Sequence, residues 1–211
     1  MDRRQRLIEA GLAVFAEMGY HRAKVSDIVR QAGVAQGTFY LYFASKKDLF
    51  LTLLNEFCAL IEQALIEADF NAEHAQTAAD VARQIRDAIG RILAVYRGNA
   101  TLARLFLRES ISLEPDFAHA WETFIDRVAT MGAAYLDQAI ERGLLLSQNS
   151  QVVAFCLVGM IERVAHHWLA GDVSADLDTL ADTVTRFELL GIMGGPSPEV
   201  AAVLAGEEVW P

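Results

Sequence analysis

The 211 residues, 53% apolar and 22% charged, are enough for one large or two small globular units with a buried core, and they exclude a disordered tail protein. Lys and Arg total 18 against 28 Asp and Glu, a net charge of −10, so the average surface repels polyanions at neutral pH. The average conceals an asymmetry: residues 1–50 carry eight basic and five acidic side chains, a net +3, and the remaining ten against 23 leave −13. All three lysines, Lys24, Lys46 and Lys47, fall in that first stretch, the pattern of a small polyanion-binding unit on an acidic body.

Only four prolines occur and no segment alternates like a strand, so the chain reads as all-α. The first helix spans about residues 3–18, with Ile8, Leu12 and Phe15 on one face and Gly19 ending it. Short helices follow at about 25–31 and 36–42, separated by Ala32-Gly33-Val34-Ala35. The next runs from Ser45 to about residue 69; the Ser45 hydroxyl caps its first turn and Asp48 completes a capping box. Five more helices are expected at roughly 77–97, 99–111, 116–142, 150–170 and 176–193.

The segment Val152 to Ile161 is apolar on every side, which requires burial all round. In the last helix Leu177, Leu180, Val184, Phe187 and Gly191 step by three and four, a coiled-coil type of seam. We read this pair as a self-associating face giving a two-fold homodimer, with Val152, Phe155, Leu177, Leu180, Val184, Phe187 and Gly191 at the interface. Cys58 and Cys156, both in apolar surroundings, read as buried thiols of a cytoplasmic protein. No signal peptide is evident, and the longest uncharged stretch, 143–161, is broken by five polar residues at 147–151, so no membrane partner is expected.

Two short helices joined by a tight turn behind a longer one form the pattern of a helix-turn-helix DNA reader. Ala32 and Gly33 permit close approach, while Phe39 and Phe43 pin the second short helix to Phe15, Ile28 and Val34. The opposite face then presents Gln36, Gly37, Thr38, Tyr40, Leu41 and Tyr42 to a groove. Lys46, in the first turn of the following helix, suits a phosphate, as does Lys24 by its charge.

Gly19-Tyr20, Val25-x-x-Ile28, Ala32-Gly33-Val34, Gly37-Thr38-Phe39-Tyr40-x-Tyr42-Phe43 and Ser45-Lys46-x-Asp48-Leu49 strongly resemble the DNA-binding module of the TetR family of transcriptional repressors. The resemblance implies that Gly37, Thr38 and Tyr40 approach bases or adjacent phosphates, with Tyr42 and Lys46 on the DNA backbone. Gln36 can bond a base edge and Leu41 can touch a thymine methyl. The sequence departs at Lys24 and Ala35, where the family often has Ser or Thr.

The same resemblance implies an N-terminal three-helix domain at 1–47, a ligand-binding and dimerisation bundle at 48–194, and a loose tail at 195–211. The expected partners are double-stranded operator DNA, a small-molecule effector and a second copy of the chain; the effector fills a pocket and weakens DNA binding. Candidate pocket residues are Tyr96, Phe106, Phe117, Trp121, Phe124, Met131, Met160 and Trp168, with Arg104 and Arg108 for an anionic head group. Gly19-Tyr20-His21, Tyr40-Leu41-Tyr42-Phe43, Gly159-Met160-Ile161-Glu162 and Trp168 resemble the branch that responds to fatty acyl-coenzyme A. Acyl-CoA is thus the first candidate and an apolar drug-like molecule the second. The rival reading is a helical small-molecule binder or enzyme without a DNA role. HExxH, GxSxG and GxxxxGK are absent and Glu162/His166 forms no Glu-x-x-His pair, so we expect no catalytic residue, no metal and no cofactor.

Overall fold

Helix α1 (Arg3–Met18) buries Leu7, Ile8, Gly11, Val14 and Phe15 along one face, and Gly19 closes it with a positive φ of 77°. The structure, a computed structural model, describes residues 2–109 and 115–192, with the side chains of 108, 109 and 189–192 outside the description. Gly11 is where α1 meets the fourth helix, since a Cβ there would fall 2.5 Å from Leu49 Cδ2. Helix α2 (Val25–Ala32) ends at Gly33, whose left-handed backbone (φ 63°) reverses the chain within the turn. From α1, the Arg6 guanidinium donates to the Ala32 carbonyl and locks that turn.

Helix α3 (Gln36–Tyr40) is two residues shorter than its apolar pattern suggested. The N–H groups of Tyr42 and Phe43 both donate to the Phe39 carbonyl, at 3.0 and 2.9 Å, which tightens Leu41 and Tyr42 into a turn. Helix α4 (Lys46–Glu67) carries the expected hydroxyl cap, Ser45 Oγ accepting from the Asp48 N–H at 3.2 Å, but not the reciprocal half of the capping box: Asp48 Oδ2 accepts from the N–H of Ala44, one residue before the cap, at 2.9 Å. A 3-10 turn at Ala72–His74, not anticipated, leads to α5 (Ala78–Gly98). The rest of the body is α6 (Ala100–Glu109), α7 (Pro115–Glu141), α8 (Ser150–Ala170) and α9 (Leu177–Ile192). Each predicted helix lies within two residues of its observed bounds.

One apolar core runs from α1–α3 through α4 into the body, where α7 packs along α8 and α9 along α5. The expected tail at 195–211 lies outside the described residues. One sequence reading is corrected within the single chain: Cys58 is buried but Cys156 is exposed, because the outward face of α8 has no covering element there. Val152, Phe155 and Cys156 of the apolar stretch 152–161 share that outward face, the one expected to meet a second copy. By length and composition, Lys46–His74 and Ser150–Ala170 are apolar enough to cross a bilayer, although the polar residues 147–151 argued against a span. Half of the first apolar window is buried inside the protein, against 17% of the second.

Candidate nucleic-acid interface and ligand cavity

In α3 the burial of two phenylalanines decides which side chains are displayed. Phe39 and Phe43 are buried with ring centroids 5.7 Å apart, which turns Tyr40 (54% exposed), Leu41 (79%) and Tyr42 (38%) outward. Gln36 and Gly37 are exposed on the same element and Thr38 is half-buried. Such a surface, two aromatics and an isobutyl group held up by a packed base, suits a groove better than bulk water. Lys24 stands exposed at the start of α2, and its backbone N–H donates to Asp27 Oδ2 at 3.1 Å.

Lys46 is placed differently from a side chain reaching into solvent. Its Nζ donates to the carbonyls of Tyr20, His21 and Ala23, at 2.8, 3.1 and 2.9 Å, and lies 4.5 Å from the centroid of the Tyr20 ring. The ammonium therefore holds the α1–α2 loop, and a phosphate would have to compete with three carbonyls for its donors.

Behind Tyr20, ring contacts pass without a break into the body. Tyr20 meets Phe117 of α7 at 4.9 Å; Phe117 meets Phe50 of α4 at 4.5 Å; Phe50 meets Phe106 of α6 at 5.3 Å. Phe106 then meets Phe57 at 5.8 Å, and Phe57 meets Tyr96 of α5 at 5.3 Å. Of the predicted pocket residues, Tyr96, Phe106 and Phe117 thus belong to this stack. Tyr20, Phe50 and Phe57 were missed, since aromatic spacing alone does not show which rings from distant helices meet.

Among the described residues, a cleft and two smaller cavities lie along α8. A cleft of about 360 Å³ opens between α1, α6 and α8, lined by Ala16, Thr101, Arg104, Leu105, His166 and Leu169 among others. Arg104 anchors it, its Nε donating to the Leu169 carbonyl at 3.0 Å. Arg108 is among the side chains outside the description. Deeper in the body, cavities of about 30 and 60 Å³ adjoin through Ile92, Val128, Val158 and Ile161, which line both. The smaller also takes in Tyr96, Phe124 and Glu162; the larger takes in Glu188. Burial raises the pKa of the Tyr96 hydroxyl and of the Glu162 carboxyl, and the latter is partly offset by a hydrogen bond from Trp121. Trp168 Nε1 donates to the Ala175 carbonyl at 2.9 Å, holding the α8–α9 loop, while Met160 is half-buried and Met131 exposed. The two acidic residues of the deep slot were missed; an isolated Glu inside an apolar stripe, as at 188, was the available signal.

The predicted dimer face divides. Val152, Phe155 and Phe187 are exposed, Leu177 is partly so, and Gly191 lies in α9 outside the described side-chain environment. Leu180 and Val184 are each only 5% exposed because they pack into this chain's own core, which corrects their assignment to a partner contact. Among the described residues no group of three or more His, Cys, Asp or Glu could hold a metal ion.

Comparison with known proteins agrees with both halves. The pattern described as bacterial regulatory proteins, tetR family, matches residues 7–53, and that of the tetracyclin repressor-like C-terminal domain matches residues 78–192. The fatty acid metabolism regulator protein of Bacillus subtilis is 29% identical over 191 residues, covering 88% of this chain and 93% of that one. The HTH-type transcriptional regulator YdgC of the same organism is 29% identical over 200 residues, covering 92% and 94%. Among solved structures, FadR from Bacillus subtilis in complex with stearoyl-CoA superposes with a TM-score of 0.72 at 24% identity, over 91% of this chain and 99% of that one. The fatty acid degradation regulator FadR from Bacillus halodurans gives 0.73 at 22% identity, over 90% and 96%. With its reading head and its helical body both matched, the chain belongs to the TetR family, DNA-binding transcriptional regulators that respond to a small molecule.

Proposed function

We propose that this regulator is a repressor that holds its operator as a homodimer and releases it when a fatty acyl-coenzyme A fills the body. In this reading α3 enters the major groove, with Gln36, Gly37, Thr38, Tyr40 and Leu41 at base edges or adjacent phosphates and Tyr42 and Lys24 on the backbone. Lys46 serves by positioning the loop before Lys24. A DNA ligand places the work in the bacterial cytoplasm. The outward face of α8, with Val152 and Phe155 uncovered, supports a second copy as its partner, joined by Phe187 of α9.

The observation that carries the effector assignment is the run of cavities along α8. From Leu169 at the open cleft to Ala154 in the deep slot is fifteen residues, about 22 Å of helix. The outer cleft holds Arg104 and His166, suited to phosphates; the walls of the deep slot are mostly apolar, suited to an acyl chain, with Glu162 and Glu188 as its carboxyls. The relative from Bacillus subtilis whose structure contains stearoyl-CoA shares this fold. Since Tyr96 lines the slot, a ligand there touches the inner end of the ring stack that reaches Tyr20, while Ala16 of α1 lines the outer cleft. A ligand favouring one spacing of the two heads then shifts the population away from the spacing DNA requires, about one turn of 34 Å or a multiple.

The test is fluorescence anisotropy of labelled DNA from upstream of the regulator's own gene. Stearoyl-CoA should release the probe, while free coenzyme A and stearate should not, and Arg104→Ala should raise the concentration needed. Unchanged DNA affinity in saturating long-chain acyl-CoA would remove this effector class.

A further inference from the structure

The inner end of the slot is not uniformly apolar. Glu188 of α9 is 4% exposed and reaches into the 60 Å³ cavity, among Ile85, Ile89, Tyr135 and Leu157. Its Oε1 has no hydrogen-bond partner among the described residues. An unsatisfied buried carboxyl oxygen costs stability, so a partner supplied by a ligand is worth more here than at the surface. Among the described residues no Lys, Arg or His lines either deep cavity, and the other carboxyl of the slot, Glu162, already accepts from Trp121. The α5 cation that faces α9, Arg86, is occupied at the outer surface by Asp182 at 2.5 Å and Asp178 at 3.4 Å.

We propose that Glu188 reads the inner end of the bound chain, and that the slot takes an acyl chain carrying a hydroxyl group there. The inference rests on the acyl-ligand reading and adds its specificity. The physical argument is complementarity. A neutral carboxyl both donates and accepts, and so does a hydroxyl, so the pair satisfies both groups without moving a charge into an apolar site. Burial without a cation favours that neutral form, pushing the carboxyl up to about 8. An ammonium would require the ionised carboxyl and a dry ion pair, whose desolvation is repaid only by further hydrogen bonds that these walls do not offer. A plain methyl end would leave Oε1 buried and unpaired.

Two ligand pairs separate this inference from the coenzyme A reading: palmitoyl-CoA with ω-hydroxypalmitoyl-CoA, and palmitic acid with ω-hydroxypalmitic acid. Binding to the full chain is measured by titration calorimetry. The hydroxylated member should bind about threefold to tenfold more tightly in the wild type. In Glu188→Leu the preference should vanish or invert. As a readout that needs no variant, the protonated-carboxyl stretch in the infrared difference spectrum of the wild type should shift with the hydroxylated ligand and stay put with the plain one. Equal binding of the thioester pair with no infrared shift overturns the role of Glu188 and leaves the acyl-CoA reading intact. A Glu188-dependent preference in the free acids, with no thioester bound, overturns the coenzyme A part and leaves Glu188 in place. Binding of none of the four overturns both.

Discussion

Lys46 Nζ donates to the Tyr20 carbonyl at 2.8 Å and stands 4.5 Å from the centroid of the Tyr20 ring, so one ammonium grips both the backbone and the side chain of that residue. The same ring meets Phe117 of α7 edge-on at 4.9 Å. The loop between α1 and α2 is thus clamped from α4 and braced by the body.

Lys46→Met should cost about 1–3 kcal/mol of stability, through three lost hydrogen bonds and a cation–π contact. Lys46→Arg should recover little of it, since a planar fork does not fit three converging carbonyls. Operator affinity should fall through misplacement of Lys24, yet the slope of log affinity against log salt should hold nearly constant. A slope smaller by about 0.9 per protomer, or about 1.8 for a homodimer, would instead make Lys46 a phosphate contact.

Tyr40→Ala and Tyr42→Ala should each weaken operator binding by roughly tenfold while changing stability by less than about 0.5 kcal/mol, as expected of exposed side chains. Phe39→Ala, one residue away, should cost about 3–5 kcal/mol and melt the head. Anisotropy and circular-dichroism melts on the three proteins distinguish the classes; tyrosine variants that melt as Phe39→Ala does would place those rings in the core.

Phe155→Glu should convert the proposed homodimer to a monomer in sedimentation velocity with its helical spectrum retained, and lower operator affinity by about 100-fold or more as the second head is lost. Leu180→Glu should unfold the body instead, because it puts a charge under α9 against α5. A Phe155→Glu protein that remains dimeric would move the interface off this face of α8.

Glu188 makes stability depend on pH in a defined sense. The folded carboxyl titrates near 8 and the unfolded one near 4.5, so the unfolded chain gives up its proton first. This contribution is largest below about pH 4.5, declines as pH rises through the window, and is exhausted above about pH 8. Its full span is at most about 5 kcal/mol. Glu188→Gln removes the titration, so its advantage over the wild type in urea melts should grow between about pH 5 and about pH 8.5. An equal difference at both pH values would show that Glu188 is ionised in the fold.

The local elements were legible because their causes are local. Gly19 and Gly33 stop helices wherever they stand, Ser45 and Asp48 cap a helix without help, and Phe39 and Phe43 four apart force the residues between them outward. The readings that failed required knowledge of the neighbours. Leu180 and Val184 show the same spacing whether they meet α5 or a partner, and Cys156 sits among apolar residues yet faces outward. The tertiary role of Lys46 was equally hidden, since its hydrogen-bond partners lie more than twenty residues away.

By itself, then, the sequence determined the helices, the reading head and the split between a basic first fifty residues and an acidic remainder, since propensity, capping and charge act over a few residues. Only the tertiary structure decided what crosses between helices: the ring stack from Tyr20 to Tyr96, the cavities along α8, and the lone carboxyl of Glu188 at their inner end. Those depend on which faces meet at van der Waals distance, and a periodic pattern states that a face is apolar without naming what covers it.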